Sequence, residues 1–160
     1  DFQLYWEETD LAWRCWLSGF EVLFYPEITV WHAYQTKEKS KTIYEGENYQ
    51  VVYRGCRNMI SSLIKNLESQ RLFFVLPLTL SAWLALSLLF FLKLDFEKSL
   101  AIIKGIAWNF INLKLTIKKR KKIQATRKIT DKQLYALVGV KKNTSYYFGK
   151  ALAYLTNKAF

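Results

Sequence analysis

Residues 72–92 read LFFVLPLTLSAWLALSLLFFL, a run without a single charged side chain, bracketed by Arg71 and Lys93. A helix of about 20 residues crosses the ~30 Å hydrocarbon core of a bilayer, so this run is long enough to span one. Its flanking cations suit snorkelling to the two interfaces. Pro77, in the first third, would damage a helix in water but is tolerated in a membrane helix. A buried core helix of a soluble protein has the same composition, yet the rest of the chain offers little to wrap it on all sides. The run therefore predicts a membrane-associated helix.

The chain around it has 160 residues, 51% hydrophobic, 17% aromatic and 23% charged, with a net charge of +11. That is one domain's length, too apolar for a disordered tail. Two cysteines, Cys15 and Cys56, exclude a disulfide framework. The charge is split unevenly. Residues 1–70 hold 7 Lys/Arg against 10 Asp/Glu, net −3, whereas residues 71–160 hold 17 against 3, net +14. A slightly acidic part is thus joined to a strongly basic one. The chain opens on Asp1 without a signal-peptide pattern and reads as the C-terminal part of something longer.

A second apolar stretch, residues 100–117, carries Lys104, Asn109, Asn112 and Lys114. On a helical wheel Lys104, Gly105, Asn109, Asn112 and Thr116 take one side, with Ile102, Ile103, Ile106, Phe110, Leu113 and Ile117 opposite. Such a helix lies flat in the interface with its apolar side in lipid, or returns across the bilayer as the second arm of a hairpin. The basic cluster that follows, Lys118 to Lys122 with Arg127 and Lys128, belongs on the cytoplasmic side; a hairpin returns it there, as does a first segment that dips in without crossing, whereas a first helix crossing alone would put it outside. Beyond it, Thr130 and Gln133 form a capping box before Leu134, Leu137 and Val138, Gly139 ends that helix, and a last helix follows Asn143 or Thr144.

Upstream, Thr9 reads as the N-cap of a short helix over residues 9–18, stopped by Gly19. The β-rich runs 20–25 and 28–31 read as strands, giving the edge of an α/β or α+β unit. Residues 33–46 are polar and read as a loop. Over 47–68, Val52, Cys56, Met59, Ile60 and Leu63 recur at helical spacing and predict one buried face. The expected domains are 1–70, an α/β catalytic part; 71–117, membrane-embedded or interfacial helices; and 118–160, a basic helical tail.

Chemistry concentrates at the acidic end. Glu7, Glu8 and Asp10 stand among Tyr5, Trp6 and Trp13. A carboxylate desolvated by aromatic neighbours serves as a general base, while acids at a helix N-terminus also simply suit its dipole. His32, the sole histidine, could be a metal ligand, although a lone His after a strand is more often structural. The chain holds no HExxH, paired CxxC, GxSxG, P-loop or GxGxxG, so it lacks the signals of a zinc protease, a zinc ribbon, a triad hydrolase or a dinucleotide-binding core.

The string from Leu4 through Tyr5, Trp6, Glu7, Glu8, Thr9, Asp10, Leu11, Ala12, Trp13 and Arg14, with Gly19, Tyr25-Pro26-Glu27 and Trp31-His32, resembles the C-terminal segment of the catalytic domain of family 2 glycosyltransferases, closest to rhamnosyltransferase-like members. Tyr53-Arg54 and Arg57-Asn58 resemble the helix that follows there. The resemblance implies a GT-A fold and an inverting sugar transfer in cell-surface polysaccharide synthesis, from a nucleotide-sugar donor to a glycan or lipid-linked acceptor. It places Glu7 and Glu8 on the family's acid pair, with Glu8 as the catalytic base, although Asp is commoner there. Asp10 and Arg14, one helical turn apart, become an orienting ion pair. His32 matches a histidine that joins a divalent metal, Mg²⁺ or Mn²⁺, or the donor diphosphate. The donor-binding half with its Asp-x-Asp motif is expected upstream of Asp1, so this part alone is expected to be inactive. The basic tail is then an electrostatic anchor to anionic lipids, each cation near the surface contributing about 1 kcal/mol. The competing function is a non-enzymatic, membrane-anchored basic module that binds anionic lipid, an acidic partner or, less favoured, nucleic acid.

Overall fold

The structure, a computed structural model, describes residues 2, 5–30 and 49–139. Six helices follow one another: α1 (Glu7–Leu17), α2 (Tyr49–Asn66), α3 (Ser69–Leu92), α4 (Phe96–Ile111), α5 (Leu113–Ala125) and α6 (Asp131–Val138). The α/β expectation is corrected accordingly: among the described residues every regular element is a helix and there is no strand. Residues 20–25 and 28–30 keep their β-prone composition but run as irregular chain around a turn at Pro26 and Glu27. A strand exists only by ladder bonds to a neighbour, and neither segment has one here. Phe24 is accordingly 89% exposed. The expected loop over 33–46, the helix after Asn143, Trp31 and His32 lie outside the described residues.

α2 is the axis of the molecule. It packs against α1, α3, α4 and α5, so the packing runs across residues 70 and 117. Its first half buries one stripe, Val52, Cys56 and Ile60, against Ala101 and Ile102 of α4. Its second half is enclosed all round, with every residue from 61 to 67 buried. The close α2–α4 approach depends on Gly105, where a Cβ would stand 3.1 Å from the Tyr53 carbonyl oxygen and 3.2 Å from the Cys56 side chain. Cys56 lies deep in this seam, its thiol directed at the Ile102 carbonyl, and burial pushes it up to about 12. It is therefore a packing residue and not a nucleophile.

α1 begins two residues before the expected cap, at Glu7, because Trp6 adopts a left-handed backbone with φ 71° and turns the chain into the helix. Gly19, at φ 79°, ends it by the left-handed exit that a glycine makes without strain. Thr130 and Gln133 form the capping box at α6, each side chain bonding the other's backbone N–H.

α3 and α4 are joined by a three-residue turn in which Asp95 caps α4 by accepting the Lys98 N–H at 3.2 Å. α3 is long and apolar enough to span a membrane, and little of its surface is buried within the protein. α4 and α5 meet at a 67° bend at Asn112 and together also have the length and composition of one span. The inward side of this hairpin mixes small polar groups, the buried Ser87, Ser99, Gly105, Asn109 and Thr116, with apolar ones, the buried Ala101 and Ile102 and the half-buried Leu76, Leu80 and Trp83 packed on them. Ser87 bonds Ser99 across the helices, and Asn109 donates to the carbonyls of Arg57 and Gly105 at 3.0 and 2.9 Å. The outward side carries Phe74, Leu78, Leu84, Leu88, Ile103 and Phe110, all exposed. The polar side of the α4–α5 wheel thus faces the protein, apart from the exposed Lys104.

Candidate functional site

The first turn of α1 is clamped to the end of α2 by one buried carboxylate. Asp10, 3% exposed, accepts from Arg14 Nε at 3.0 Å on one oxygen. Its other oxygen accepts from Lys65 Nζ at 3.0 Å, Asn66 Nδ2 at 2.9 Å and Ser62 Oγ at 3.2 Å. Lys65 is itself buried and lies 4.2 Å from the centre of the Phe2 ring. Burial pushes its ammonium below the ordinary lysine value, while the charge and hydrogen bond of Asp10 pull it back up. A buried charge is tolerated only when it is paired and hydrogen-bonded, and Asp10 satisfies that demand with four donors.

Around this clamp lies a cavity of about 530 Å³ between α1, α2 and α5. Its polar lining is Glu7, Asp10, Arg14, Lys65, Lys119 and Lys122, and Leu11, Ile123 and Phe2 supply apolar wall. Of the two adjacent acids, Glu7 enters the cavity, with a buried Oε2 that has no hydrogen-bond partner among the described residues, whereas Glu8 stands exposed on the outer side of the same turn. The structure therefore brings Glu7, Asp10 and Arg14 together and leaves Glu8 apart. Lys65, Ser62, Asn66, Lys119 and Lys122 escaped the sequence reading. Ser62 and Asn66, with Asn58 before them, sit four residues apart and form a polar stripe on α2 that signals a second buried face.

The basic segment is divided in its use. Arg120 donates to the carbonyls of Ile64 and Leu67, both at 2.6 Å, and to Ser69 Oγ at 3.1 Å. Gln124 donates to those of Lys65 and Asn66, and Arg127 bonds Asn66 and pairs with Asp131 at 3.0 Å. These side chains close the carbonyl end of α2, where cations also suit the helix dipole. Desolvation holds the Arg120 guanidinium below its ordinary value, with Arg127 adding to the effect. Lys114, Lys118, Lys121, Lys122 and Lys128 remain exposed.

A second cavity, of about 460 Å³, opens between α1, α3 and α6 beside Trp13, Trp16, Arg71 and Tyr135. No group of three His, Cys, Asp or Glu side chains that could hold a metal exists among the described residues, and both oxygens of Asp10 are already engaged. His32 lies outside the described residues. The described residues thus offer no ligand group for the divalent metal that the resemblance implies, and no step below passes through one.

The chain matches no family model, no curated protein and no solved structure. With the all-helical architecture, that corrects the assignment to the family 2 glycosyltransferases and their GT-A fold. The class defined here is a helical protein built on one central helix, with a hairpin whose longer arm can span a bilayer.

Proposed function

We propose that this chain is the membrane-seated part of an inverting glycosyltransferase acting on a glycan or lipid-linked acceptor. The observation that carries the proposal is the Asp10 clamp. It fixes the first turn of α1, which carries the exposed carboxylate Glu8, on the end of α2. In the transfer, Glu8 takes the proton of the acceptor hydroxyl, whose oxygen forms a bond to the anomeric carbon as the bond to the nucleoside diphosphate breaks. Asp10 and Arg14 position the turn that carries Glu8 and touch no reacting atom. The donor, and any divalent metal that accompanies it, is held by residues outside those described.

The hairpin supports membrane seating by the apolar side chains that it leaves exposed on its outward side. Placement of the acidic part and the basic tail on the cytoplasmic side follows the rule that Lys/Arg-rich flanks stay inside. In the full-length protein, Glu8→Gln should abolish transfer from a nucleotide sugar while membrane association persists; unchanged turnover removes Glu8 from the role of base.

The second reading, a non-enzymatic module anchored on anionic lipid, is favoured by the exposed Lys114, Lys118, Lys121 and Lys122 on α5. Its signature is unaltered biological function in the Glu8→Gln variant combined with loss of function when these lysines are neutralised.

A further inference from the structure

We infer that the cleft between α1, α3 and α6 seats a membrane phospholipid, with one acyl chain inside it and the phosphodiester on Arg71. The inference rests on the membrane seat proposed above and not on sugar transfer. The cleft, of about 460 Å³, has a floor of buried Leu67 and Leu134 and walls that include Trp13, Trp16 and Val138. Ordinary ligand pockets hold ~300–1,000 Å³ and are likewise lined by apolar and aromatic side chains. Such a lining takes an alkyl chain out of water.

The two charges on the lining differ in what they leave free. Asp131 is buried, one oxygen accepting from Arg127 Nη1 at 3.0 Å and the other from the Glu68 N–H at 2.8 Å. The Glu68 carboxylate, on the residue that precedes α3, accepts the Asp131 N–H at 3.0 Å in return. Arg71 by contrast is exposed, makes no hydrogen bond or ion pair among the described residues, and lies over the Tyr135 ring at 5.8 Å. The cleft thus offers an apolar interior and one uncommitted cation at its rim. Its ligand is apolar at one end and anionic at the other, which neither a free sugar nor a free phosphate is.

Arg71 also fixes where such a ligand comes from. It lies in the first turn of α3, the helix long and apolar enough to span a membrane. Positions i, i+3 and i+7 share a helix face, so Phe74 and Leu78, each 72% exposed, continue from Arg71 along α3. An inserted α3 carries this apolar track into the hydrocarbon from the headgroup level, to which Arg71 snorkels. A phospholipid sets two phosphate oxygens against the guanidinium fork, lays one chain along Phe74 and Leu78, and turns the other into the cleft.

Photo-labelling tests this in nanodiscs of phosphatidylcholine that carries a diazirine at the end of one acyl chain, with adducts located by peptide mass spectrometry. Adducts at Leu84 and Leu88, on the outward side of α3, report insertion; adducts at Trp13, Trp16 or Leu134 report the cleft. The unaltered chain should be labelled at both. Arg71→Gln, at an exposed position where replacement leaves the packing intact, should lower cleft labelling about fivefold while labelling of α3 stays within about twofold. Ala12→Phe, which fills the cleft from the α1 wall, should abolish cleft labelling and spare α3. Labelling of α3 without the cleft would overturn the lipid site and leave the membrane seat standing. Labelling of the cleft without α3 keeps the site and removes the seat, and labelling of neither removes both. Cleft labelling that Arg71→Gln leaves unchanged, or lowers only in step with α3, would also overturn the assignment.

Discussion

In the α3–α4 hairpin the groups turned inward are Ser87 with Ser99, Gly105 and Asn109 against α2, and the apolar Ile102, Leu76, Leu80 and Trp83, while Phe74, Leu78, Leu84 and Leu88 face away from the protein. Between α1, α2 and α5 the inward groups are the charges Asp10 and Lys65, with Ser62 and Asn66, and the surroundings are polar. In the hairpin, the neutral Ser87–Ser99 hydrogen bond stands among apolar side chains that pack on the core. At the junction, full charges are removed from water and are bearable only because every oxygen of Asp10 is engaged. The contrast sets a hairpin whose longer arm has the length and composition to span a bilayer beside a junction built on paired charges. Arg120, Gln124 and Arg127 stand between the two, closing the end of α2 just where the chain enters α3.

The contrast can be attacked from either side. The largest effect is expected at Asp10. Asp10→Ala leaves Lys65 buried without its partner and should cost about 3–5 kcal/mol of stability, read from denaturant midpoints in detergent micelles. A loss under 1 kcal/mol would mean that the junction is not a buried ionic clamp.

On the hairpin, Leu84→Arg places a charge on the outward side of α3. In a bilayer it should cost roughly 2.5–3.5 kcal/mol of insertion free energy and reduce flotation of the protein with vesicles. The same substitution on a water-facing helix costs less than about 0.5 kcal/mol, so unchanged flotation and stability would deny that this side meets lipid.

The smallest effect is expected in the connecting turn. Burial pushes the Asp95 carboxyl up, but the side-chain and backbone hydrogen bonds from Lys98 and its charge outweigh this, and the group titrates below its ordinary value. Its contribution is present above the unfolded carboxylate value of about 3.9 and is lost as pH falls through the lower folded value. Asp95→Asn keeps the cap and removes the ion pair at 2.9 Å. Such a partly exposed pair contributes at most about 1 kcal/mol, and the variant should lower the neutral plateau by no more than that while leaving the most acidic stability unchanged, which flattens the acid limb of the profile.

Much of the helical framework is legible from local rules. The apolar run predicts α3, the buried stripe on α2 follows from the spacing of Val52, Cys56 and Ile60, and the box at Thr130 and Gln133 marks the start of α6. The Asp10–Arg14 spacing places an ion pair on α1. The strands fail because β propensity at 20–25 and 28–30 records a preference for a pleated, half-buried surface, which these segments meet only with a neighbour. The site is less legible than the fold. That Glu7 enters the cavity while Glu8 stays outside depends on how α1 is rotated on α2, and the rotation is set by Ser62, Lys65 and Asn66, more than fifty residues away.

By composition and spacing alone, the chain is committed to an apolar helix of bilayer length, to an acidic beginning and a basic remainder, and to the caps that start and stop its helices. These are properties of neighbours along the chain, and short-range sterics and hydrogen bonding suffice to set them. Which side of α4 turns inward, which arginines become caps on α2 instead of anchors, and which cations share a cavity with Glu7 follow from packing. Each depends on the partner a side chain meets from a distant segment, because burial of a charge or an amide is acceptable only where that partner supplies the missing hydrogen bond.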